Sequence, residues 1–265
     1  MIKYWYFTGD THGSGLMGRL YNIKQMPEVG ATPSTIGVII LGDVGLNYYF
    51  DSRDKKLKDK VNRLGYQIYC VRGNHEARPQ DVEGMGLQYD ENVHGMVYCE
   101  ADYPNIKYFK DFGIYQIFRY KIGVIGGAYS VDKKYRLLNG WQWFWNELLN
   151  ENELQECLEL FANQETFDLI LSHTCPYQWR PTDLFLSCID QSQVDTSMEE
   201  FLDMIQEPLC KWTRWAFGHY HDDRLVRPGA IMLYHKIISL DELMGNHMEL
   251  QDFVIDPKYE EGLRT

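Results

Sequence analysis

The chain has 265 residues, 45% of them hydrophobic, and its 26 Lys and Arg face 38 Asp and Glu for a formal net charge of −12. That length supports one large domain burying roughly three quarters of the surface its unfolded chain exposes. The acidity argues against a general polyanion binder, because nucleic-acid affinity is built from Lys and Arg on phosphates, and no apolar run approaches the roughly 20 residues that span a bilayer.

In chain order, residues 2–7 read as a strand running straight into Asp10, so no removable signal peptide is expected ahead of it. Residues 35–42 are a short apolar run ending in Gly42, the pattern of a strand buried on both faces, and Asp43 follows directly. Residues 51–64 place Leu57, Val61 and Leu64 on one helical face, with Gly65 as the stop. Residues 66–72 and 167–172 repeat the buried-strand pattern and deliver Asn74 and His173. Residues 80–111, rich in Gly, Tyr and Asp, carry the least regular pattern and read as an insertion near a cleft rim. Runs over 113–128 and 224–240 are β-rich and predict a second sheet packed on the first. Helices are predicted over 151–161 and from a capping box of Ser197 and Glu200 through Phe201, Leu202 and Ile205. The run Trp141-Gln142-Trp143-Phe144-Trp145 reads as core or interface in preference to a stacking platform for bases. One domain over residues 1–265 is expected, with a polar tail at 252–265. The six cysteines, at 70, 99, 157, 175, 188 and 210, form no Cys-x-x-Cys pair and read as reduced and mostly buried; the expected location is cytoplasmic.

Chemistry concentrates in five blocks at the ends of apolar runs: Asp10-Thr11-His12, Gly42-Asp43, Gly73-Asn74-His75-Glu76, His173, and Gly218-His219-Tyr220-His221. Taken singly, an Asp after a strand is often a turn former, and a lone His such as His94, His235 or His247 is usually a surface or satisfied core group. What points to a metal centre is that five of the eight histidines fall in these blocks. Two cations about 4 Å apart repel, so a carboxylate between them, with Asp43 the candidate, and flanking imidazole and amide ligands are needed to hold both. Asp10 and His12, two apart, suit one ion at a strand end; His219 and His221 either both face one metal or serve one each. Carboxylate with imidazole suits Mn, Fe or Zn better than Ca or Mg, and Asn74 would be a weaker oxygen ligand.

These five blocks, in this order, resemble the calcineurin-like metallophosphoesterase superfamily, which includes the Ser/Thr phosphoprotein phosphatases. The resemblance spans residues 8–221 and implies a four-layer α/β/β/α sandwich of two mixed β-sheets flanked by helices. It implies that Asp10, His12, Asp43 and His221 bind a first metal, and Asp43, Asn74, His173 and His219 a second. His75 would stand beside the leaving group and protonate it, while a water between the two ions attacks phosphorus directly. The block Arg72-Gly73-Asn74-His75-Glu76 reads like the phosphoprotein phosphatases, yet those enzymes place a second Asp and an Arg after the bridging aspartate, where this chain has Leu46 and Asn47. Arg72 and Arg136 are the substitutes proposed for gripping phosphate. The block Gly126-Gly127-Ala128-Tyr129-Ser130 is similar to phage and bacterial phosphoesterases. The expected substrate is therefore a phosphomonoester or small nucleotide, with a phosphoprotein less well supported. A nuclease-type phosphodiesterase, which needs Arg180, Arg214, Arg224 and Arg227 to gather beside the cleft, and a silent protein-binding scaffold are the alternatives.

Overall fold

The computed structural model describes residues 1–24, 31–245 and 253–255. The tail at 252–265 lies outside these residues except for 253–255, and His247 lies outside them entirely. Strands β1 (Tyr4–Thr8), β2 (Ile36–Ile40), β3 (Gln67–Cys70), β4 (Met85–Asp90), β5 (Gly95–Glu100) and β6 (Ile106–Phe109) come first along the chain. Then follow β7 (Phe112–Ile117), β8 (Tyr120–Ile125), β9 (Thr166–Ser172), β10 (Lys211–Phe217), β11 (Arg224–Arg227), β12 (Ala230–Met232), β13 (Ile237–Ser239) and β14 (Val254–Ile255). They build two mixed seven-stranded sheets, ordered β13-β1-β2-β3-β6-β5-β4 and β14-β11-β12-β10-β9-β8-β7.

Side-chain alternation along the central strands makes the layers. Phe7, Ile39, Tyr69, Val124, Leu171 and Ile231 meet between the sheets. Their neighbours Tyr6, Val38, Ile40 and Ile68 face outward against helices α1 (Leu16–Lys24) and α2 (Ser52–Leu64), where Leu16, Leu20, Ile23 and Val61 cover them. After the short α3 (Lys133–Leu138), helices α4 (Glu151–Ala162) and α5 (Ser197–Met204) cover the second sheet, packing Cys157, Phe161, Phe201 and Leu202 on Ile170, Trp215 and Phe217. The chain closes its helices with α6 (Leu240–Met244). This is the four-layer α/β/β/α sandwich. Because β1, β2, β3 and β9 are covered on both faces, they carry continuous apolar runs instead of alternation.

Local signals set the helix ends. The Asp51 carboxylate accepts from Arg53 N to open α2, and Gly65 closes it in the left-handed region at φ 78°. Asn150 and Glu153 form a reciprocal capping box at α4. The box expected of Ser197 is displaced by one residue: Thr196 is the cap position, its hydroxyl donates to Glu200 at 2.7 Å, and Asp195 accepts from Ser197 N at 2.9 Å.

Three other expectations change. Residues 237–239 do not extend the second sheet; as β13 they pair antiparallel with β1 in the first. The weakly patterned 80–111 stretch is largely regular, with β4 and β5 an antiparallel pair joined through β6 to β3. The Trp141–Trp145 run is not core. It follows α3 in irregular backbone, with Trp141 52% and Trp145 81% exposed. Five of the six cysteines are buried, Cys188 is exposed, and all are free. Among the described residues no helix is long and apolar enough to cross a membrane.

Candidate metal centre

Every ligand-type residue singled out from the sequence lies just beyond the C-terminal end of a parallel strand. Asp10 and His12 follow β1, Asp43 follows β2, Asn74 and His75 follow β3, His173 follows β9, and His219 and His221 follow β10. Parallel neighbours release their loops on the same edge, so the two sheets bring these loops together. The backbone is tightly drawn there. A Cβ at Gly42 would lie 1.9 Å from His173 Nδ1, one at Gly73 would lie 2.0 Å from Asp43 Oδ1, and one at Gly218 would lie 2.2 Å from Asp10 Oδ1. His12, Asp43, His219 and His221 all hold positive φ, between 45° and 71°, a strained state for non-glycine residues that persists where the surroundings over-determine it.

Asp43 sits at the middle. Its Oδ2 is 3.4 Å from His75 Nδ1, 3.7 Å from His173 Nε2 and 3.9 Å from His12 Nε2, while its Oδ1 accepts from the His75 backbone N–H at 2.7 Å. On one side Asp10, His12 and His221 converge: His221 Nε2 is 3.2 Å from Asp10 Oδ2 and 2.9 Å from His12 Nε2. On the other, His173 Nε2 is 2.8 Å from Asn74 Oδ1, and Asp10, Asp43 and His173 form a second converging group. His219 belongs to no such group among the described residues. Its ring stands 5.0 Å from that of His173, and its backbone N–H donates to both Asp10 oxygens at 3.0 and 3.1 Å. His75 does enter a group with His12 and Asp43, although the sequence reading kept it out of the ligand set.

Electrostatics suit cations. His173 Nδ1 lies 2.8 Å from the Leu41 carbonyl, which fixes the ring so that Nε2 faces Asn74 Oδ1 at 2.8 Å and Asp43 Oδ2 at 3.7 Å. Burial, reinforced by the nearby His173, drives the His219 pKa down to about 3 and keeps that ring neutral. Burial likewise lowers His12. Burial alone would raise the two carboxyls, but His173 and His221 at Asp10, and His75, His173 and His12 at Asp43, outweigh it and hold both below the ordinary range. The His221 ring is raised above its ordinary value by its bond to Asp10, and its nitrogen meets that of His12 at 2.9 Å beside the two buried carboxyls, a donor set that fits divalent cations once the imidazole protons are displaced.

Residues 6–223 match the calcineurin-like phosphoesterase family. The chain belongs to that family. No curated protein sequence is a significant match to it. Among solved structures it is similar to TT1561 of Thermus thermophilus, with 14% identity over 90% of this chain and 98% of that one and a TM-score of 0.44. It is also similar to the Thermus thermophilus sulfate thiohydrolase SoxB (16% identity, 86% and 38% covered, TM-score 0.36) and to the NAD nucleotidase of Haemophilus influenzae (12% identity, 83% and 39% covered, TM-score 0.36).

Helix α3 and the residue before it stand beside the centre. Leu46 and Asn47 are buried. Asp132, at the start of α3, brings Oδ1 to 3.4 Å from His75 Nε2, and its Oδ2 accepts from Arg136 Nε at 2.8 Å. Arg136 then reaches His75 Nδ1 at 3.0 Å and the Tyr48 hydroxyl at 2.9 Å. Burial opposes charge on His75, but Asp43 and Asp132 outweigh it and raise the ring above its ordinary value. Arg136 thus stands beside His75, whereas Arg72 does not. Arg72 is 1% exposed, pairs with Asp111, and donates to the Gly73 and Glu147 carbonyls at 3.2 and 2.8 Å, so it braces the loop from beneath and does not face a substrate. Asp132 went unassigned in the sequence because no periodicity links it to His75, 57 positions earlier; the only cue was its place beside Arg136 after the Gly126–Ser130 block.

Proposed function

We infer that the chain is a phosphoesterase working with two metal ions, Mn, Fe or Zn, and hydrolysing a small phosphate ester by direct displacement. The observation that carries this reading is the position of Asp43 Oδ2, within 3.4 to 3.9 Å of ring nitrogens from three separate loops, where a bridging carboxylate belongs. Asp10, His12 and His221 would hold one ion with Asp43, and Asn74, His173 and His219 the other. Bound there, the pair would supply an acidified water and positive charge at the phosphoryl oxygens.

The remaining work falls to side chains. Arg136, fixed by Asp132 and Tyr48, presents its guanidinium beside His75, where it can meet a phosphoryl oxygen. His75, held by Asp132, delivers a proton to the departing oxygen as the phosphorus–oxygen bond breaks and the oxygen of water takes its place. His75 and Asp43 are the residues assigned to catalysis, and Asn74 and Arg136 to substrate.

Two observations favour a small substrate over a long nucleic acid. The net charge is −12. Of the four arginines a nuclease would need, Arg214 donates to the Leu243 and Gly245 carbonyls, Arg224 pairs with Asp183 and Asp222, and Arg227 lies over Trp179 and Trp212. Only Arg180 of these borders a cavity at the centre. The free, mostly buried thiols accord with a reducing compartment such as the cytoplasm. The test is activity of the metal-reconstituted protein on an aryl phosphomonoester, an aryl phosphodiester, cyclic nucleotides, a phosphopeptide and single-stranded DNA. Metal-dependent release of the aryl alcohol is expected, and absence of turnover on every member would refute the reading.

A further inference from the structure

An asparagine is a ligand that can face a cation the wrong way. Its side chain ends in an oxygen that accepts and an NH2 that only donates, and a half-turn exchanges them. A carboxylate presents oxygen in either orientation, but an amide must be held. Asn74 is buried, with Oδ1 2.8 Å from His173 Nε2. At its other end Nδ2 donates to Ser130 Oγ at 2.9 Å. The Ser130 hydroxyl donates in turn to Glu147 Oε2, and the Ser130 N–H donates to Glu147 Oε1 at 3.1 Å. An ionised carboxylate has only acceptors, so Glu147 takes the single hydroxyl proton of Ser130. The Ser130 oxygen then has only lone pairs for Asn74. Those lone pairs require the NH2 end, and Oδ1 is left facing the centre.

Ser130 and Glu147 are 1% and 2% exposed, which shields the relay from competing water. Glu147 is also fixed from the loop it serves. Arg72, two residues before Asn74, donates to the Glu147 carbonyl at 2.8 Å, and the Arg72 carbonyl accepts from the Gly127 N–H at 2.8 Å. Residues 72–74, 127–130 and 147 are thereby tied into one closed circuit of main-chain and side-chain bonds. Neither Ser130 nor Glu147 belongs to the five ligand blocks.

We propose that Ser130 and Glu147 are positioning residues that, through one hydroxyl proton, set the Asn74 amide so that its oxygen and not its NH2 is offered to the second cation. This rests on the two-metal phosphoesterase reading above. Glu147→Gln should do more than weaken the relay. With the Gln oxygen on the Ser130 N–H, its NH2 meets the Ser130 oxygen, turns the hydroxyl proton toward Asn74, and draws Oδ1 away from the centre.

The experiment measures Mn(II) binding to the metal-free protein by electron paramagnetic resonance, with circular dichroism on the same samples. Two equivalents should bind to the unaltered protein. Glu147→Gln should weaken one of them about 10- to 100-fold and leave the other unchanged. Ser130→Ala, which removes the constraint without reversing it, should weaken the same equivalent about fivefold. The discriminating variant is Asn74→Asp, whose carboxylate offers oxygen in both orientations. In that background Glu147→Gln should cause no further loss, a rescue that general support of the loop would not give. Fewer than two equivalents in the unaltered protein would overturn the two-metal reading and this proposal with it. Two equivalents there, with both bound as tightly in Glu147→Gln and Ser130→Ala, would overturn the proposal alone. A Glu147→Gln loss that persists beside Asn74→Asp would also overturn it, because Glu147 would then act on the loop and not on the amide.

Discussion

The pairing of His75 with Asp132 makes a quantitative prediction through a double-mutant cycle. His75→Ala removes the group assigned to the leaving oxygen and should lower kcat about 10²- to 10⁴-fold. Asp132→Asn keeps an oxygen for Arg136 but removes the negative charge 3.4 Å from His75 Nε2. The contact is an ion pair in which Asp132 Oδ1 makes no hydrogen bond and the carboxylate is about a third exposed, so screening holds its contribution to about 1 kcal/mol, roughly fivefold in rate. If Asp132 acts through His75, the double variant should be no slower than His75→Ala alone. The assay is aryl ester hydrolysis with metal content measured on the same samples. A double variant a further fivefold slower would separate the two residues. Loss of both metals in His75→Ala would make His75 a ligand, as its grouping with His12 and Asp43 permits, and would remove it from the general-acid role.

Other consequences are checked separately. Asp43→Asn should lose metal before it loses fold, seen as reduced metal content at unchanged circular dichroism. Gly42→Ala places a methyl 1.9 Å from His173 Nδ1 on a backbone at φ 99°, and should cost at least about 1 to 3 kcal/mol in urea denaturation while weakening metal binding. Asp111 is buried, which would raise its carboxyl, but Arg72 and Arg78 outweigh burial and hold it below 3.8. A depressed carboxyl contributes stability that is present above its unfolded value and lost as pH falls through the folded one. The stability gap between the metal-free protein and its Asp111→Asn variant should therefore be widest near neutral pH and close below about pH 4; a gap independent of pH would contradict the pairing.

The parts of this fold that the sequence displays are those in which one physical demand dominates. Strands β1, β2, β3 and β9 are covered on both faces, so burial writes an unbroken apolar run, and the ligand blocks announce themselves where those runs stop. Strand β10 carries His219 and His221 at its end yet reads Lys-Trp-Thr-Arg-Trp-Ala-Phe, half polar, because Lys211 and Thr213 are exposed and Arg214 reaches out to the carbonyls of Leu243 and Gly245. The short β13 has no local signal to say which sheet it joins; its pairing with β1 is a long-range choice. Trp141 illustrates the opposite error: aromatic residues usually signal burial, but here the chain leaves α3 at Gly140 and the ring lines an open cavity. Arg72 misleads for a related reason, since a charged residue beside a ligand block is as easily a buried brace for the loop as a hand on the substrate.

The claim on which the rest depends is that Asp43 spans two cations held in contact by Asp10, His12, His221 on one side and Asn74, His173, His219 on the other. Electron paramagnetic resonance of the metal-free protein titrated with Mn(II) tests it most directly. Two equivalents should bind, and the second should convert the spectrum to that of an exchange-coupled pair, a change that Asp43→Asn abolishes. Saturation at one equivalent, or two ions that remain magnetically isolated, would contradict the account.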